Sequence, residues 1–180
     1  INADDMWALG YTGQGQTIAV IDTGIKVNHT NFATAPQDPH FDAAGIQSVL
    51  NRYDLCAEER YNGTLTGATL YHSAKLPFTF NYYAGNTDVS HANAGSDHGT
   101  HVSSIAAGCD SSSRGVAYNA QIISMQVFQN GGAAWTEILA ALEDCAWLEV
   151  DALKMSLGSD NGFTQGEADM EVVFALLNAH

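Results

Sequence analysis

The sequence predicts an α/β fold, a parallel β-sheet flanked by helices, and three observations carry that expectation. Short apolar runs such as "QTIAVID" (16–22) and "AQIISMQVF" (120–128) lack polar alternation, as strands buried on both faces do. Between such runs, apolar residues recur at helical spacing. Strand-like and helix-like stretches alternate, so the strands should run parallel through right-handed crossovers.

The first strand ends at Asp22 and is broken by Thr23-Gly24. From about Ala33 to Gly95 the text reads as a loop-rich block, and only "LPFTFNYYAG" (76–85) looks strand-like. "DHGTHVSSIAAG" (97–108) sets His98, Val102, Ile105 and Ala106 at helical spacing and closes on Gly108, a suitable residue just past a helix. "AQIISMQVF" is the second buried strand. "WTEILAALEDCAWLEV" (135–150) is an amphipathic helix with Ile138, Leu139, Leu142 and Cys145 on one side, and "DALKMSLG" (151–158) is the third strand. Thr164 and Glu167 have capping-box spacing before a last apolar face of Met170, Val173, Phe174 and Leu177.

At 180 residues the chain is long enough for one domain with a real core. Twenty acidic residues against six basic ones give a net charge of -14. Such a surface repels phosphate backbones and anionic lipid, which disfavours nucleic-acid and membrane-surface partners. No apolar run approaches the roughly 20 residues that span a bilayer. The opening "INADDMWALG" has neither the basic start nor the apolar core of a signal peptide, and a start at Ile1 points to a processed or trimmed terminus. Cys56, Cys109 and Cys145 make an odd count. Cys145 falls on the apolar helix face, whereas a pairing of Cys56 with Cys109 is left open.

Functional groups of an open parallel sheet collect at the carboxyl ends of its strands, where Asp22 and Ser156-Leu157-Gly158 fall. His98 opens a helix, and a buried acid aimed at such a ring fixes its tautomer and stabilises an imidazolium. Plainer readings exist for each part. Asp-Thr-Gly after a strand is often only a turn. His98 and His101 alone would suit packing or a weak metal site, although zinc needs a third ligand and its usual partner motifs are missing.

Taken together, "AVIDTGI" (19–25), "DHGTHVSSIAAG", "GVAYNAQIISMQVF" (115–128) and "MSLGS" (155–159) resemble, in the same order, segments of the subtilisin-like serine proteases. The end of the 33–95 block, "KLPFTFNYYAGNTDVSHANAGSDHG" (75–99), is similar to the cell-envelope proteinases of Gram-positive bacteria. The resemblance implies a serine endopeptidase with Asp22 and His98 as two members of a Ser-His-Asp triad, and a structural place for His101. It implies that Ser156, Leu157 and Gly158 border the specificity pocket and pair with an extended peptide or protein substrate. The loop "NGGAA" (130–134) would flank the other side, with Gly131 and Gly132 admitting the peptide to the main chain, unless the loop is merely a flexible turn.

The family's Gly-Thr-Ser nucleophile motif and oxyanion asparagine do not occur here, and Ser103, Ser104 and Ser156 lack that context. Residues 1–180 are therefore expected to be the N-terminal portion of one catalytic domain, incomplete without a segment after 180 that comes as a continuation or a second chain. The alternative is a non-catalytic peptide-binding or scaffold domain of the same fold. No cofactor is required, and no metal ligands are assigned. Calcium is possible without a location: Asn31 is a neutral residue where the family has an acidic ligand, while Asp38, Asp42, Asp54 and Asp88 supply oxygens in the block. His29, His40, His72, His91 and His180 read as surface or loop residues. Most relatives with this pattern are exported, which implies a secreted or cell-surface location, and two sequons, at Asn28 and Asn62, carry little weight.

Overall fold

Alternation along the first strand decides which face each side chain meets. In β1 (Thr17–Asp22), Val20 packs with Ile25, Phe32, Leu76 and Val102, whereas Ala19 and Ile21 join a larger cluster with Phe78, Phe80, Ile123 and Met125. Asp22 is two residues beyond Val20 and shares its face. The computed structural model describes residues 2–158 together with 172, 175, 178 and 179. Its other strands are β2 (Phe78–Asn81), β3 (Gln121–Gln126) and β4 (Ala152–Met155). All pair in parallel, as the sequence predicts, and their order is β2-β3-β1-β4.

Helix α5 (His98–Ala107) covers the face of Val20, through Val102. Helix α6 (Trp135–Trp147) covers the opposite face, with Ile138, Leu142 and Cys145 buried. Both lie where helical spacing put them. Ile105 departs from the expected stripe and is 56% exposed. Among the described residues β4 is last in the strand order, with exposed and half-buried residues alternating. Of the last predicted helix, the named residues Thr164, Glu167, Met170, Val173, Phe174 and Leu177 lie outside the described residues, as does His180.

An N-terminal helix α1 (Ala3–Ala8) and three short helices were not legible in the sequence. The block read as loop holds α2 (Ala43–Leu50), α3 (Cys56–Arg60) and α4 (Gly67–Leu70). Two are started by side-chain caps: Asp42 accepts from the Gly45 amide at 2.7 Å and Thr66 from the Thr69 amide at 3.1 Å. Each buries only a few apolar residues, Ile46 and Leu50 in α2 and Leu70 in α4, so no long periodic pattern betrays them.

Two buried charged side chains tie this block to the sheet and to α6. Lys75 donates to the carbonyls of Tyr118 at 2.8 Å and Ala120 at 2.6 Å, and burial lowers its ammonium to about 8. Asp144 of α6 accepts from the Cys56 amide at 2.7 Å, the Ala57 amide at 3.0 Å and the Tyr82 hydroxyl at 2.8 Å. Burial raises its carboxyl to about 7, against the pull of those three donors. All three cysteines are free thiols. The open Cys56–Cys109 pairing is not made. Cys56 sits on α3 within reach of Glu143, its thiol pushed up to about 12 by burial and nearby carboxylates, whereas Cys109 follows α5 and donates its amide to the Asn31 carbonyl.

Candidate active site

The parallel register brings the predicted site residues to one edge of the sheet. Asp22 is opposite Gln126, and Ile21 is opposite Met155, so Ser156 follows alongside Asp22. Asp22 is 2% exposed. Its Oδ1 accepts from the Thr23 amide at 2.7 Å and lies 2.8 Å from Nδ1 of His98, the first residue of α5. A carboxylate can only accept, so Nδ1 carries the proton and Nε2 of the neutral ring is left as an acceptor. The His98 side chain is 46% exposed, which leaves the ring open to a reacting group.

Small residues make this approach possible. A Cβ on Gly99 would run into the Gly24 carbonyl and lie 3.1 Å from Asp22 Oδ1. Thr23 locks the helix start in place: its Oγ1 accepts from the Gly99 amide at 2.9 Å and donates to the Ser96 carbonyl at 3.2 Å. Asp22 Oδ2 is buried without a hydrogen-bond partner among the described residues. Beside it runs a buried polar row that the sequence reading missed. Asn81 Nδ2 donates to Gln126 Oε1 at 3.2 Å, and Gln126 Nε2 donates to the Phe128 carbonyl at 3.2 Å. Both residues sit inside apolar runs, with no local signal of their partners.

His101 is exposed and lines a cleft with Lys26, His29 and His91, so the place expected for it as structural is a surface one. Ser104 donates its hydroxyl to the Thr100 carbonyl at 2.8 Å, and Ser103 is buried. Among the described residues, the bond recorded for the His98 ring runs to Asp22.

The predicted substrate segments lie on either side of one cleft of about 330 Å³. Gly131 and Gly132 line it with Phe128, Trp135, Ile138, Leu157 and Gly158, while half-buried Ser156 precedes that lining. Gln129 and Gly132 exchange backbone hydrogen bonds at 2.9 and 3.1 Å, and Asn130 and Gly131 between them both have positive φ. Gly131 thus also serves a tight turn. A larger cleft of about 630 Å³ lies between α1 and Val116-Ala117, away from Asp22, and no carboxylate, histidine or cysteine lines it. Among the described residues, no group of three or more His, Cys, Asp or Glu is placed to hold a metal ion. Asn31 Oδ1 instead accepts from the Ser113 hydroxyl at 3.2 Å.

The site thus joins a buried acid to a half-exposed imidazole at the carboxyl edge of a parallel sheet. The family model of the subtilase family matches residues 13–176. The chain belongs to the subtilase family. This subtilase is 32% identical over 190 residues to a PII-type proteinase of Lacticaseibacillus paracasei, covering 99% of this chain and 9% of that protein. It is 29% identical over 160 residues to the minor extracellular protease Vpr of Bacillus subtilis, covering 88% of this chain and 16% of that protein. With subtilisin DY of Bacillus licheniformis it shares 25% identity over 178 residues, 97% of this chain and 48% of the relative. The subtilase chain thus spans under a tenth of the PII-type proteinase. Among the described residues, no helix is long and apolar enough to cross a membrane.

Proposed function

We propose that this chain is the N-terminal portion of the catalytic domain of a serine endopeptidase, secreted or held at the cell surface. Asp22 holds the His98 ring and stabilises the imidazolium that forms on it. His98 takes the proton of a serine hydroxyl as that oxygen attacks a peptide carbonyl, then returns it to the leaving amine. The serine and an oxyanion-stabilising asparagine come from chain beyond these 180 residues, as a continuation or as a second chain. The observation that carries the reading is the 2.8 Å bond between buried Asp22 and half-exposed His98.

The substrate is a peptide or protein laid extended along Ser156-Leu157-Gly158 and Gly131-Gly132. Main-chain bonds hold it there, and an apolar side chain enters the cleft of Trp135 and Leu157. Protein groups alone supply this chemistry, which requires no cofactor.

The test is labelling of the full-length protein with a fluorophosphonate, followed by turnover of variants at matched folded fraction. The expected result is labelling of the protein, with turnover falling by about 10⁴ in Asp22→Asn and by several orders of magnitude in His98→Ala. His101→Gln should keep near-normal turnover. A protein that binds peptide yet takes no label would be a binding domain of this fold, and turnover that survives His98→Ala but not His101→Gln would identify the other histidine as the base.

A further inference from the structure

Helix α3 is fastened to α6 at both ends. At its start, the amides of Cys56 and Ala57 donate to Asp144. At its last residue, Arg60 forks. Nη1 donates to the Tyr82 carbonyl at 3.2 Å, Nη2 donates to the Thr136 carbonyl at 3.1 Å, and Glu137 Oε1 lies 3.7 Å from Nη1. Thr136 and Glu137 directly follow Trp135, which with Ile138 forms one wall of the cleft shared with Leu157 and Gly158.

The outer half of that wall has little local support: Ala134, just before α6, carries no side-chain cap and Trp135 is 62% exposed, whereas Ile138 is buried. Arg60, by contrast, is well seated. Gly85 approaches so closely that a Cβ there would meet the Arg60 carbonyl, and its φ of 65° suits glycine. The guanidinium meets the two carbonyls with separate nitrogens held in one plane, whereas a lysine would have to meet both from a single nitrogen.

We propose that Arg60 is a positioning residue for the substrate cleft: reaching from α3, it pins the first turn of α6 so that the Trp135–Ile138 wall stays closed on a bulky apolar side chain of the peptide. The proposal rests on the peptide-groove reading above. Without the fork, the wall is free to move outward, and a large side chain loses more contact than a small one.

The experiment uses the full-length protein carrying His98→Ala, so that binding is read without cleavage. It is titrated by calorimetry with capped octapeptides that differ only by Phe or Ala at one position, and that position is walked along the peptide. At one position the Phe peptide should bind about tenfold or more tightly than its Ala counterpart. Arg60→Met, which keeps the aliphatic stem, should reduce that preference to about twofold while the Ala peptide binds within about twofold of the parent. Arg60→Lys should reduce the preference as well, because a single nitrogen replaces the two that separately hold the Tyr82 and Thr136 carbonyls. The proposal is overturned if either variant keeps the preference, if both peptides weaken equally, or if no position shows a preference in the parent. Turnover of the protein with His98 intact tests the catalytic reading separately, and its failure leaves the affinity ratio measurable.

Discussion

The carboxyl of Asp144 makes stability depend on pH in a direction opposite to that of an ordinary ion-paired acid. Burial raises it from 3.8 to about 7, so the folded state holds its proton over a range in which the unfolded chain has released it. Stability from this group is therefore fully present below pH 3.8 and is lost as pH rises through about 7. The shift is about 3 units, and at about 1.4 kcal/mol per unit it amounts to roughly 4 kcal/mol across the window. Asp144→Asn removes the titration and keeps one acceptor oxygen, enough for one of the two amides; that cost does not vary with pH. Denaturant unfolding of parent and variant, in half-unit steps from about pH 4 to about pH 8, gives the difference in stability at each pH. The parent should lose roughly 4 kcal/mol relative to the variant as pH rises. Two profiles that stay parallel within about 1 kcal/mol would refute the reasoning, because Asp144 would then be ionised throughout and held by its three donors.

Three further outcomes are expected. Gly99→Ala should lower turnover of the full-length protein by at least about a hundredfold, since the new methyl group displaces either the Gly24 carbonyl or the Asp22 carboxylate; turnover within about threefold of the parent would contradict this. Lys75 behaves as the inverse of Asp144. Its folded value is lowered to about 8 from 10.5, so its contribution is full above pH 10.5 and lost as pH falls through about 8. Measured by thermal unfolding, stability relative to Lys75→Met should rise by roughly 3 kcal/mol between those limits. Cys56, held at about 12, should resist iodoacetamide at about pH 8 in the folded protein and react once it is denatured, as peptide mass spectrometry would show.

The strands β1 and β3 and the helices α5 and α6 were legible because each carries an uninterrupted apolar signal of one period. The pairing of Asp22 with His98 was legible only through the joint motifs, since no spacing rule links residues this far apart. Gln126, Asn81 and Asp144 were invisible for a related reason. Each is a polar residue inside an apolar pattern, and what satisfies it lies in another element: Gln126 meets Asn81 across the sheet, and Asp144 caps a helix some 88 residues earlier. Arg60 gave no signal at all, because a surface cation next to Glu58 and Glu59 reads as ordinary helix decoration. Helices α2 to α4 were missed for want of length, as four to eight residues complete too few turns to show a period.

The alternation along β1 has a consequence for how the gene can change. Because successive side chains point to opposite faces, adding or deleting one residue between Thr17 and Val20 would turn the carboxylate at position 22 away from α5 and aim it into the apolar cluster under α6. The stretch between Ala33 and Leu76, ahead of β2, is under no such parity rule. There, helices and loops of almost any length reach β2 without rotating a side chain of the sheet. Length variation among relatives of this chain should therefore be crowded into that region, and β1 should vary by substitution alone.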